Sequence, residues 1–232
     1  MTGLRASTAT ASRRNFAMSP GGSFGVCLRE TAGETTLERW SLGDVSRMAV
    51  SWPAAGLESS HTQAIVSDSG AVFVTRPLSG HCELTHIDPS LGISRVLGRF
   101  ARVGLRLVAS PGADHAVAFG FGHDDGQTRL WRLNGGGPKV SEPVIAVPGL
   151  LRGGSWLDPE GTLLAVNQTV DGRTVPAVID LADGSWRELP LPSAQVVLTS
   201  TGSGRLLVAV DPGALRSSRW LSRGARSATV RD

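Results

Sequence analysis

Tyrosine is absent from the 232 residues, lysine occurs once, at Lys139, and cysteine twice, at Cys27 and Cys82. Two thiols are too few for a disulfide framework and read as those of a reduced, cytoplasmic chain. No run of 18 or more apolar residues occurs, which excludes a membrane-spanning helix. No window of ten or more residues carries a helical period of apolar side chains, so a helix-rich class falls away as well. With one lysine, nearly all the positive charge is arginine, yet the formal net charge is only +3 at a pI near 9.6. Guanidinium forks pair well with phosphate, but dispersed arginines with so small a net charge generate little field, and nucleic acid is not an expected partner. The densest group, Arg216, Arg219, Arg223, Arg226 and Arg231, reads as a solvated C-terminal edge.

What is abundant points the other way. The 29 glycines and 13 prolines, with 41% hydrophobic and 19% charged residues, describe a chain able to bury a core and turn often between short strands. All-β follows, as one domain or at most two.

A repeat runs along the chain. A turn rich in Ser, Pro, Asp and Gly precedes a short apolar strand five times. The pairs are Ser19-Pro20-Gly21-Gly22 before Phe24 to Leu28, Ser67-Asp68-Ser69-Gly70 before Ala71 to Val74, and Ser110-Pro111-Gly112-Ala113 before His115 to Phe119. Asp158-Pro159-Glu160-Gly161 before Thr162 to Val166 and Thr201-Gly202-Ser203-Gly204 before Arg205 to Val210 complete the set. Anchored on Val26, Val74, Ala118, Val166 and Val210, the spacing alternates near 48 and 44 residues, the period of a four-stranded propeller blade. The second half of the unit repeats too. Leu37-Glu38-Arg39-Trp40, Arg129-Leu130-Trp131-Arg132-Leu133 and Arg219-Trp220-Leu221 occupy matching places as a third strand, with Cys82 to Asp88 and Pro176 to Leu181 in the other units. Asp-Gly and Ser-Gly supply the positive φ that tight hairpins need.

The expected fold is therefore an all-β propeller of about five four-stranded blades, incomplete or closed by the N-terminal segment. Residues 1–14 are expected as a flexible N-terminus, with blades at 15–56, 57–102, 103–148, 149–193 and 194–232. The alternating strands place the tryptophans between blades as packing rather than on a face as a stacking platform.

These turns, together with Ile179-Asp180-Leu181-Ala182-Asp183-Gly184, resemble the "Ser-Pro-Asp-Gly, strand, strand, Asp-Leu-x-x-Gly" repeats of the Tol-system propeller and of the N-terminal propeller of prolyl oligopeptidase-type hydrolases, and more loosely WD repeats. The resemblance spans the chain from about Asn15. Gly21 and Gly112 replace the turn aspartate, and Arg-Trp or Trp-Arg stands where a WD repeat has Trp-Asp. The hydrolase resemblance implies a following α/β-hydrolase domain that this chain does not contain, so no catalytic residue carries over. What it implies is the gating and docking part of such an enzyme.

Individual motifs weigh less than the repeat. Gly21-Gly22-Ser23-Phe24-Gly25 matches a nucleophile elbow, but its flanks are a turn and a strand rather than a strand and a helix. His81, Cys82, His86 and Asp88 carry metal-capable groups, yet period-two geometry puts His81 on one face and the others too far apart on the opposite one. His123-Asp124-Asp125-Gly126 reads as a hairpin turn rather than a calcium loop. Gly135-Gly136-Gly137 and Gly153-Gly154 precede no helix and read as blade-to-blade linkers rather than phosphate cradles. Ser12-Arg13-Arg14-Asn15-Phe16 resembles a twin-arginine export signal, but Ser19-Pro20-Gly21-Gly22 replaces the apolar region that must follow, so it reads as a first strand, and export is the alternative to a cytoplasmic location. No catalytic, metal or cofactor residue is expected. The expected function is a non-catalytic, monomeric module binding a protein or small ligand at a propeller face or channel, with no membrane partner; the alternative is the propeller part of a prolyl oligopeptidase-type serine hydrolase.

Overall fold

The computed structural model describes residues 11–31, 34–42, 49–52, 58–101, 104–111, 117–134, 142–189, 196–201, 205–209 and 219–221. Among them there is no helix, and the strands form five antiparallel sheets in which chain neighbours pair. The first sheet holds β1 (Ser12–Met18), β2 (Phe24–Thr31), β3 (Glu34–Ser41) and β4 (Ala49–Trp52); the second β5 (Gln63–Val66), β6 (Val72–Leu78), β7 (His81–Asp88) and β8 (Ile93–Ala101). The third comprises β9 (Arg106–Ala109), β10 (Val117–Asp124), β11 (Gln127–Asn134) and β12 (Ile145–Pro148), and the fourth β13 (Leu150–Trp156), β14 (Leu163–Val170), β15 (Arg173–Asp180) and β16 (Ser185–Glu188). The fifth shows three strands, β17 (Val196–Thr201), β18 (Arg205–Ala209) and β19 (Arg219–Leu221). Because β1 starts at Ser12, residues 12–14 belong to a strand and not to a flexible N-terminus.

The turn residues seen in the sequence do what their chemistry allows. The amides of Gly22, Gly70 and Gly161 donate to the carbonyls of Ser19, Ser67 and Asp158, three residues back, and all three glycines have positive φ. The Ser19 hydroxyl accepts from the Phe24 amide and the Asp158 carboxylate from those of Thr162 and Leu163, so the turn ends with its polar groups satisfied before the strand begins. At the other end of the second strand, Asp125-Gly126 and Asp171-Gly172 form two-residue hairpins with positive φ at both positions, the type I′ turn that matches strand twist. The last pairs before these hairpins are Thr31 with Glu34, Leu78 with His81, Asp124 with Gln127 and Val170 with Arg173, which puts successive sheets 47, 46 and 46 residues apart. The alternation of 48 and 44 seen in the sequence is thus a shift of the chosen anchors; Val26, Phe73, Phe119 and Ala165 are the equivalent residues.

Three apolar clusters stack the first four sheets face to face. Val26, Leu28 and Leu37 meet Ala64, Val66, Val72 and Val74; Phe73, Leu84 and Leu97 meet Leu105, Leu107 and Leu133; Phe119, Phe121 and Leu130 meet Leu151, Leu164 and Ile179. Each fully buried aliphatic side chain contributes about 1.5–3 kcal/mol. Trp131, Trp156 and Trp186 pack against these clusters, and Trp156 also donates its indole N–H to the Ala109 carbonyl at 2.6 Å, from the fourth sheet to the third. The side chains of Trp52 and Trp220 lie outside the described residues.

Candidate functional site

The first strand of each sheet is its innermost, and these strands differ in length for a reason that makes a cleft. β1 and β13 run seven residues, each with one extra residue, between Arg14 and Ala17 and between Arg152 and Ser155. Asn15 and Gly153 take the positive φ of these bulges, a conformation that Asn and Gly tolerate best. β5 and β9 have four residues. β5 begins at Gln63, opposite Thr75, so residues 76–78 of β6 have no inner partner. Pro77, which lacks an amide hydrogen, sits there without breaking a ladder.

A cleft of about 310 Å³ opens beside this uncovered stretch, between the second and third sheets at their hairpin end. Leu78, Pro77 and Leu105 give it apolar walls, and His61, His81 and Thr75 bring polar groups. Its floor is fixed by Gln63, whose amide donates to the Leu107 carbonyl at 3.3 Å while its oxygen accepts from the Leu107 amide at 3.1 Å. Cys82 lines it as a neutral thiol, because burial pushes its pKa up. Among the residues lining the cleft there is no carboxylate and no serine. The arrangement suits holding a ligand of mixed character.

The residues singled out in the sequence fall elsewhere or separately. Ser23 is exposed at the end of the first turn and is followed by β2 rather than a helix, so the elbow geometry is missing. His81 and Cys82 reach the cleft, whereas His86 lies 5.1 Å from the ring of Phe73 and Asp88 caps its own turn through Ser90 and Leu91. Among the described residues no three His, Cys, Asp or Glu side chains are grouped to hold a metal. Asp125-Gly126 is a hairpin turn, as read. Gly153-Gly154 is not a linker: both glycines lie inside β13. The glycine at the joint is Gly149, between β12 and β13, with φ of 79°. Gly135-Gly136-Gly137, Lys139, Arg216, Arg223, Arg226 and Arg231 lie outside the described residues. The cleft itself had no sequence signature beyond the shortness of two inner strands, because its lining comes from four separate segments.

His86 carries a pH effect. Burial, opposed by Asp88 and aided by Arg95, holds its pKa below the ordinary 6.5. The unfolded chain therefore takes up a proton that the folded chain resists, so the contribution of neutral His86 is complete above about pH 6.5 and is lost as pH falls through the lower folded value. Urea midpoints at pH 7.5 and 5.5 should drop less in His86→Phe than in the parent; an equal drop would remove His86 as a cause.

With this geometry in view, the solved structures that superimpose on the chain can be placed. The β-propeller domain of the trilobed protease from Pyrococcus furiosus aligns with a TM-score of 0.64 at 13% identity, over 97% of this chain and 72% of that one. The acylaminoacyl peptidase of Pyrococcus horikoshii gives 0.60 at 15%, over 91% of this chain and 38% of the other. TolB from Acinetobacter baumannii gives 0.57 at 15% over 92%, and the present chain spans about half, 52%, of its length. No protein-family model and no curated protein sequence matches. At these identities the likeness is one of fold, and it agrees with the blade-like sheets: the chain is a β-propeller protein, of the architecture seen in TolB and in peptidase propellers.

Proposed function

We propose that the chain is a non-catalytic binding module that receives a small ligand or a short segment of a protein in the cleft between the second and third blades. The observation that carries this reading is the cleft itself, concave, apolar-walled and set with a few convergent polar groups where two short inner strands leave the hairpin end open. Cys82 provides its reporter. In a Cys27→Ser background, fragments that occupy the cleft should slow labelling of Cys82 by an aromatic disulfide at least tenfold. Gly104→Trp should abolish that protection, since this exposed glycine lines the cleft and a Cβ there meets nothing within 4 Å. Protection that survives Gly104→Trp, or none across a fragment library, would sink the assignment.

A second reading has its own support in the coverage of the two peptidases: the module is the propeller part of a prolyl oligopeptidase-type serine hydrolase whose catalytic domain lies outside this sequence. The adjoining reading frame decides it, because a hydrolase sequence with a nucleophile elbow there favours this reading and its absence removes it.

A further inference from the structure

Four innermost strands place one residue at the same register level: Arg14 opposite Leu28, Gln63 opposite Thr75, Arg106 opposite Phe121 and Arg152 opposite Asn167, each facing position lying three residues before the last hairpin pair of its sheet. In the second blade this residue reaches the next inner strand. Gln63 satisfies both backbone groups of Leu107, donating to its carbonyl and accepting from its amide. In the third blade a similar relation brings Arg106 to Gly154, one of the two bulge residues that together stand in the place of Leu107: a Cβ built on Gly154 would sit 3.8 Å from Arg106 Nη1.

The chemistry at this second junction does not close. Arginine has five donors and no acceptor, so it can do nothing for an amide. Gly153 and Gly154 have no cross-strand partner in the register, as expected of a bulge. Among the described residues the Arg106 guanidinium has no hydrogen bond and no carboxylate, and its Nη2 is shut from solvent with no acceptor. Phe121 covers one face of the guanidinium at 4.4 Å, and burial pushes its pKa down to about 10. By contrast Arg14 is paired with Glu30 at 3.5 Å. The guanidinium therefore presents donors at the junction of the third and fourth blades, and what is missing is an acceptor bearing negative charge.

We propose that Arg106, beside the Gly153-Gly154 bulge, forms an oxyanion site on the inner rim of the propeller, which takes a carboxylate or phosphoryl group. A guanidinium fork engages two oxygens of such a group side by side. The site lies one blade junction away from the cleft.

Amide spectra of the 15N-labelled full chain test it, with sodium phosphate and sodium acetate titrated separately against sodium chloride at constant ionic strength. Saturable shifts of the Gly153 and Gly154 amides are expected, with chloride producing none. A response to phosphate alone assigns a phosphoryl site and one to acetate alone a carboxylate site. Arg106→Gln places at this level the residue that the second blade already uses there, so it should fold and weaken anion binding at least tenfold. Arg106→Lys should weaken it less. Unresponsive bulge amides with both anions, or equal titrations in the parent and Arg106→Gln, would overturn the proposal and leave a water as the bridging group.

Discussion

Replacing Arg76 by methionine is expected to destabilise the chain by about 3–5 kcal/mol, on the order of 10 °C in Tm for a domain of this size. Glu58 is the reason. Its side chain is fully buried, and one carboxylate oxygen accepts from Arg76 Nε at 3.0 Å and Nη2 at 2.7 Å, while Nη1 of the same arginine donates to the Thr85 hydroxyl at 2.8 Å. The pair ties the segment entering the second blade to β6 and β7. Removing the cation alone leaves a carboxylate in a place where water cannot reach it. Removing both charges does not, and Glu58→Leu with Arg76→Met should recover to within about 1 kcal/mol of the parent, because a buried ion pair has already lost most of its attraction to desolvation. Chemical denaturation of the two variants reads the difference. A single variant as stable as the parent would mean that Glu58 finds water or another donor.

Gly149→Ala should cost at least about 3 kcal/mol, against about 1 kcal/mol for Gly172→Ala. Both glycines have positive φ, 79° and 76°, so both substitutions bear the backbone strain of a left-handed alanine. They differ in what a methyl group meets. At Gly172 there is nothing within 4 Å, whereas at Gly149 a Cβ would run into the Thr169 carbonyl oxygen and come within 2.6 Å of Val170 Cγ2. The joint there is also dense in hydrogen bonds: the Gly149 amide donates to the Gly126 carbonyl at 2.7 Å, its carbonyl accepts from the Thr128 hydroxyl at 2.7 Å, and that hydroxyl accepts from the Leu151 amide at 3.1 Å. Moving the backbone to make room would loosen the third blade from the fourth. Equal losses in thermal unfolding for the two variants would show that the strain, and not the contact, dominates.

Much of the fold was legible in the sequence because local chemistry specifies it. Ser19, Ser67 and Asp158 must accept or donate at a turn, Asp-Gly must take positive φ, and Arg129-Leu130-Trp131 must alternate, whatever surrounds them. The period was legible only to within two residues. Val74 and Ala118 look like equivalent apolar anchors, but in a strand a neighbour is as apolar as its neighbour when both faces are buried, and only the pairing across the hairpin fixes the register. Gly153-Gly154 was misread for a related reason: a glycine pair marks a bulge as readily as a linker, and the pairing partners that separate the two lie further along the chain, at Ala165 and Asn167. Neither the cleft nor the partnerless Arg106 was visible, since each depends on which segment of one blade faces which segment of the next.

Among the described residues every sheet pairs only strands that follow one another along the chain, so contacts within a blade are local in sequence. Hairpins closed by two-residue loops form in roughly 1–10 μs, and a blade can assemble before its neighbours exist. The slower work is docking one finished blade onto the next, and cooperativity across the molecule travels only through such junctions, much as in a chain of coupled units with nearest-neighbour terms. Arg76 acts within the second blade and Gly149 where the third meets the fourth, so their effects on stability should simply add in the double variant. The same arrangement lets one junction bind and stiffen while the next remains free to move.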